Sequence, residues 1–328
     1  MIDDIAKPQR KPEVVQGKPS ATPALSAIVV VPDAYETVRR TMGCLRAQTV
    51  AEQVEIVIVA PSRQQIGLDE RDLACFHSWQ VVEAGKVTSI GDGFEAGIRK
   101  ARAPIVALAE DHSYPDANWA EAFISAHGQP WAVVGPRMRN GNPGTMISWA
   151  DFYQAYGEWD QPVSSGTVRH LPGHNSSYKR DILLSLGEEL KIYMQAESVL
   201  HRYLVARDCR LFLETSTCTT HLNFDTWSAW IPARYHTGRQ CASTWAHSWS
   251  RERRLFFTLA SPMIPWVRLW RIQRRVCCRQ PPVFQIRLLP IMLAGLLVEG
   301  LGHFMGYLAG AGDSTEKVAR YEFHRIKK

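Results

Sequence analysis

The chain has 328 residues, of which 45% are hydrophobic and 21% charged, and a formal charge of +6 at pH 7. That length holds one large α/β domain with an appendage, or two ordinary domains, and the apolar content excludes a disordered scaffold. The positive charge is concentrated where Arg251, Arg253, Arg254, Arg268, Arg271, Arg274, Arg275, Arg279 and Arg287 stand beside apolar segments, a placement that suits anionic lipid headgroups and argues against nucleic acid.

Residues 1–24 are polar, form a flexible N-terminal segment and lack a signal-peptide pattern, so the folded part is expected on the cytoplasmic face of the inner membrane. Ala27-Ile-Val-Val-Val-Pro32 is a short apolar run fit for a buried parallel strand, and Thr37 to Gln48 follows with Val38, Met42 and Leu45 at helical spacing. Strands are expected again at 54–60, 79–83 and 105–109, with a helix at 90–101 between the last two. A helix at 118–128 and a strand at 132–136 continue the alternation, which predicts a mainly parallel, Rossmann-like α/β sheet flanked by helices. Ligands of such sheets gather at the carboxyl ends of the strands. Pro32-Asp-Ala-Tyr-Glu36 stands where a dinucleotide-binding fold carries GxGxxG, which disfavours an oxidoreductase.

Residues 141–173, rich in Gly, Pro, Trp and Tyr, read as irregular loops with a short helix around a cleft. A helix is expected at 196–207 and one or two strands at 210–221. Seven cysteines without CxxC spacing, Cys277-Cys278 among them, suggest reduced thiols in place of a zinc site or a disulfide framework.

The sharpest chemical signal is Glu110-Asp111-His112, three oxygen and nitrogen donors directly after a buried strand. Such a rim can hold the divalent cation that a nucleoside diphosphate needs on binding and on leaving; it can equally be an exposed turn that precedes the helix near Asn118.

The run Ala27–Pro32 with Glu36, then Leu45-Arg-Ala-Gln-Thr49, Glu55-Ile-Val-Ile-Val59, Gly91-Asp92-Gly93 and Ile105–His112, resembles in its order the family-2 glycosyltransferases with the GT-A fold. The resemblance spans roughly residues 25–245, a GT-A catalytic domain, and leaves 246–328 as a basic, hydrophobic, membrane-associating helical region. It implies a nucleotide-diphosphate sugar donor, a carbohydrate or lipid-linked acceptor, inversion at the anomeric carbon and a divalent cation, Mg²⁺ or Mn²⁺. On it, Pro32, Asp33 and Glu36 line the nucleotide pocket and Asp92 approaches the base or ribose. Glu110, Asp111, His112 and His221 lie at the metal, Gly173 and Asn175 near the acceptor, and Arg239 at the diphosphate. Glu197 is the base that takes the acceptor proton.

Two departures stand out: Ala60-Pro61 replaces an acidic residue at the end of the second strand, and His112 replaces the second acid of the metal motif. They keep open a second reading, a catalytically inactive GT-A scaffold of a polysaccharide assembly complex. Arg239-Gln-Cys-Ala-Ser-Thr-Trp245 does not reproduce the Gln-x-x-Arg-Trp motif of processive synthases, which favours single-sugar transfer in surface polysaccharide or glycolipid synthesis. Leu288 to Ala311 is apolar over 24 residues, about 36 Å as a helix. With Glu299 and His303 inside it, this segment spans the bilayer, re-enters it or lies in its interface; alternatively, 255–311 forms a buried helical pair of a soluble domain. Leu255 to Trp270, broken by Pro262 and Pro265, is expected along the surface.

Overall fold

The structure, a computed structural model, describes residues 22–276 and 280–323; the greater part of the expected N-terminal segment, with Cys277, Cys278 and Arg279, lies outside the described residues. In chain order the first half comprises β1 (Leu25–Val30), α1 (Arg39–Arg46), β2 (Val54–Ala60), α2 (Arg63–Ile66), β3 (Ser78–Glu83), α3 (Ile90–Lys100), β4 (Ile105–Ala109), β5 (Ser113–Pro115), α4 (Trp119–His127) and β6 (Val133–Asn140). Then come α5 (Met146–Ala155), β7 (Gly166–Val168), β8 (Ser177–Lys179), α6 (Arg180–Leu184), α7 (Leu190–Tyr193), α8 (Glu197–Val205) and β9 (Leu211–His221). Five helices close the chain: α9 (Trp227–Trp245), α10 (Arg251–Ala260), α11 (Ile264–Val276), α12 (Pro282–Ala309) and α13 (Ser314–Glu322).

Every residue of β1 and β2 is buried, as an unbroken β-branched run requires when helices cover both faces of a sheet. β1 lies between β2 and β4, all parallel, with Ile28 opposite both Val57 and Leu108. β3 extends this parallel group beyond β2. The sheet runs β3-β2-β1-β4-β8-β6-β9-β5. It becomes mixed at β8, which is antiparallel to β4 and β6, while β6 and β9 pair in parallel. The chain leaves β1 toward β2 on one side and returns through β4 on the other, and a crevice opens at the carboxyl ends of such a pair. The segment 210–221 forms a single strand whose register slips, so that Glu214 and Cys218 face the adjacent residues Pro136 and Arg137. That slip bends the end of β9 toward β5, where His221 pairs with Ser113. The five described cysteines are free thiols.

The C-terminal helices pack onto this core: Leu288, Met292 and Leu296 of α12 share one hydrophobic cluster with Ile28, Val30 and Phe94. α12 lies closely on α9, and a Cβ at Gly302 would collide with the Tyr235 carbonyl. Glu299 points into this contact and not into lipid. Its carboxylate pairs with Arg234 of α9 and Arg268 of α11, and Asp151 of α5 lies 3.8 Å from Arg234. Both Glu299 and Arg234 are buried, so each depends on the other to remain charged away from water. Glu299→Gln leaves Arg234 and Arg268 without their shared counter-ion and is expected to cost about 3 kcal/mol, read as a lower midpoint in chemical unfolding; an unchanged midpoint would show that the pair does not hold α12 to α9.

Candidate cation and donor site

Glu110 follows β4 and is 9% exposed. Its carboxylate gathers donors from three segments. Ser113 Oγ donates to Oε2 at 2.9 Å, Asn175 Nδ2 donates to the same oxygen at 2.9 Å, and His174 Nδ1 lies 3.0 Å from Oε1. His112 Nε2 and His221 Nε2 stand 3.8 and 3.7 Å from Oε2. Burial alone would push the Glu110 carboxyl up, but His112, His174 and His221 hold it well below the usual carboxylate range.

The tautomers follow from the outer contacts. His112 Nδ1 lies 2.5 Å from Asp111 Oδ1, an acceptor, so Nδ1 carries the proton. His221 Nδ1 lies 3.0 Å from Asn223 Oδ1, and the amide nitrogen of Asn223 donates at 3.0 Å to Asn140 Oδ1, which fixes that amide's orientation. In the neutral rings both Nε2 atoms therefore carry lone pairs, and Glu110, His112 and His221 can present one ligand atom each within 4.8 Å of one another. Outer hydrogen bonds of this kind orient metal-binding imidazoles. The arrangement fits a divalent cation.

The structure divides the sequence-predicted residues. It brings together Glu110, His112 and His221, with Asn175 against Glu110. Asp111 is buried beside them but spends its carboxylate on His112. Glu197, the first residue of α8, is joined to the group through His174, whose Nε2 pairs with its carboxylate. Gly173 is required there, because a Cβ would run into the Glu197 side chain. Asp92 lies in the first turn of α3, where Ser89 is the cap, and meets Lys191 at 3.1 Å and Gln195 at 3.1 Å. Pro32 is half-buried after β1, while Asp33 and Glu36 are exposed; Glu36 pairs with Arg39. Arg239 turns away, its Nε donating at 2.9 Å to the Gly310 carbonyl.

His174 was missed from sequence. Burial opposes its charge, yet Glu197 and Glu110 raise it well above the ordinary histidine range, so it is an imidazolium between two carboxylates. The signal was present in Gly173-His-Asn175, where only the flanking residues were singled out. A cavity of about 250 Å³ opens on this side, lined in part by Glu110, Tyr156, His174, Glu197, Arg234 and Gln240.

The loop that carries His174 is held by one directional chain. Leu171 N–H donates to His201 Nδ1 at 3.3 Å, so the ring's other nitrogen donates to Tyr178 Oη at 3.0 Å, and the Tyr178 hydroxyl donates at 3.2 Å to the Gly173 carbonyl. This requires a neutral ring, and burial pushes the His201 imidazole down to about 3.

No known family's sequence profile and no curated protein matches the chain. Solved structures do. The mannosyltransferase PcManGT from Pyrobaculum calidifontis, in complex with GDP-Man and Mn²⁺, is 14% identical, with 90% of each chain covered and a TM-score of 0.54. S. aureus TarS (residues 1–349) in complex with UDP is also 14% identical, with 87% of this chain and 91% of that one covered and a TM-score of 0.44. The protein has the GT-A fold of nucleotide-sugar transferases.

His201 supplies a test of the loop's anchorage. Its folded value lies below the unfolded one of about 6.5, so the unfolded chain takes the proton first and stability falls with pH between about 6.5 and about 3. His201→Gln removes this dependence. The stability advantage of the wild type over the variant is expected to shrink by up to about 1.4 kcal/mol per pH unit on acidification, measured by urea unfolding at pH 7 and pH 5; a constant difference would refute the neutral-ring assignment.

Proposed function

We propose that this protein is an inverting glycosyltransferase that moves a sugar from a nucleoside-diphosphate donor to an acceptor hydroxyl at a membrane surface. The observation that carries the reading is the convergence of Glu110, His112 and His221 at the carboxyl end of β4, with Glu197 one imidazole away across the cavity. The GT-A fold supports it, as does the donor-bound state of the mannosyltransferase neighbour, which holds GDP-Man and Mn²⁺.

In this reading Glu110, His112 and His221 hold the cation, which when bound offsets the charge of the departing diphosphate. Two imidazoles and one carboxylate suit Mn²⁺ better than Mg²⁺, which favours oxygen shells. Glu197 accepts the acceptor proton, and His174 positions it until the hydroxyl arrives. Asp92, held by Lys191 and Gln195, is assigned to the donor's base or ribose, and Pro32, Asp33 and Glu36, after β1, to the nucleotide. Asn175 fixes Glu110, and Gly173 lets Glu197 approach.

The membrane part of the proposal rests on α10, α11 and α12. They expose Leu255, Phe256, Leu259, Trp266, Trp270 and Ile286, and the exposed Arg251, Arg253, Arg271 and Arg287 stand among them. Apolar side chains interleaved with guanidinium groups match an anionic lipid interface. α12 is the one described helix long and apolar enough to cross a membrane, and 44% of its apolar window is buried inside the protein. Since its ionisable Glu299 and His303 face the protein, we read α12 as lying in the interface on the cytoplasmic face. An acceptor carried by lipid, in surface polysaccharide or glycolipid synthesis, is then delivered in the plane where the protein sits.

Glu197→Gln is expected to lower transfer or donor hydrolysis about 10³-fold while Mn²⁺-dependent nucleotide binding persists, as read by turnover and thermal shift against a panel of nucleotide sugars. Wild-type protein with neither turnover nor metal-dependent nucleotide binding would make it an inactive scaffold instead. For the membrane, Trp266→Ser with Trp270→Ser is expected to reduce flotation with phosphatidylglycerol vesicles at least about tenfold; equal flotation of wild type and variant would refute the docking face.

A further inference from the structure

The end of α13 lies against the Glu110–His112 turn. Glu322 brings Oε2 to 3.6 Å from His112 Nε2, the nitrogen that also faces Glu110. Phe323, beyond it, is 8% exposed and packs in the cluster that contains Val30, Ile90 and Phe94. Between these side chains, Ala109 and the Glu110–His112 turn, only about 10 Å³ remains. That is room for about one water, whereas a ligand the size of a nucleoside diphosphate needs about 300 Å³ or more. The cavity of about 250 Å³ extends from the Glu197 side to Glu110, Val318 and Glu322, so the tip of α13 walls it on one side.

α13 is secured at this place by several contacts. Its first residue, Ser314, meets His236 Nδ1 at 3.0 Å, Val318 and Ala319 belong to the core cluster, and Gly310 and Gly312 make the turn from α12 with φ of 76° and 56°. Chemically, a carboxylate at His112 offers what a diphosphate offers, an anionic oxygen donor. Glu110, His112 and His221 supply three ligand atoms, fewer than the six that Mn²⁺ or Mg²⁺ takes.

We propose that the tip of α13 stands in for the donor: Glu322 is a further cation ligand at the position the donor diphosphate takes, and Phe323 fills the space beside it. The tip withdraws when a nucleoside diphosphate binds. The proposal rests on the cation-and-donor reading of the site. It makes donor affinity depend on the fraction of molecules with α13 withdrawn, because the apparent dissociation constant rises as that fraction falls.

Calorimetric titration of the full chain tests this with MnCl₂ alone, then with UDP and GDP at saturating Mn²⁺. Glu322→Gln is expected to weaken binding of Mn²⁺ alone about tenfold, the scale of losing one group that supports a metal, and to tighten the preferred diphosphate about tenfold. Phe323→Ala is expected to tighten the same diphosphate with Mn²⁺ affinity unchanged. It tests the plug even where Glu322→Gln does not fold, as checked by thermal unfolding. Absence of Mn²⁺ binding in wild type and both variants would sink the cation site itself. Intact Mn²⁺ binding, with neither variant changing metal or diphosphate affinity, would leave that site standing and refute the stand-in.

Discussion

A carboxylate buried at the end of a central strand stays ionised only if polarised groups surround it, and Glu110 imposes that requirement on everything near it. The turn after β4 answers with Ser113 and His112, the loop before β8 with His174 and Asn175, and the end of β9 with His221. Each of these segments is anchored in turn. β9 reaches the site because its register slip bends it onto β5, and the loop before β8 stays in place through His201 and Tyr178. The site is therefore a consequence of burying one charge where two arms of the sheet diverge.

A second buried carboxylate ties the C-terminal helices to the same body. Glu299 joins α12 to α9 through Arg234 and to α11 through Arg268, and Asp151 brings α5 into the group. Arg234 and Asp151 both border the cavity beside Glu197. The helices that carry the apolar outer face are thus joined by ion pairs to residues that line this cavity.

β1, β2 and β4 were legible because parallel strands covered on both faces read as continuous apolar runs, and all three are buried throughout. The antiparallel insertion of β8 was not legible: three residues, Ser177 to Lys179, carry no periodicity. In the site, Glu110-Asp111-His112 was visible as a cluster of possible ligands, but sequence could not say which of them converge. The tight turn at 111–112, in which Ser113 N–H donates to the Glu110 carbonyl at 3.4 Å, brings Glu110 and His112 together and leaves Asp111 against the Nδ1 of its neighbour. Arg239 attracted attention by charge, yet its partner is a helix-end carbonyl 71 residues away. Glu322 offered no signal, since an acidic residue on a polar C-terminal helix is ordinary until the chain folds back.

The departure at position 112 gains a physical meaning when His112 and Glu322 are considered together. An acidic residue at 112 would neutralise one more unit of a cation's charge than the imidazole does, and would repel a carboxylate arriving opposite it. With the imidazole, bonded on its far side to Asp111, the ligand set attracts anionic oxygen more strongly than the two-acid motif would. Glu322 is an anionic oxygen within reach of the same imidazole, and under the proposed reading a diphosphate, with more charge and more oxygens, is the ligand that displaces it. Under the proposed reading, substitution at 112 and closure by α13 act on one balance: the weaker the neutralisation by the protein's own residues, the more firmly the tip of α13 is held, and the more selective the site becomes for a ligand that brings two phosphates.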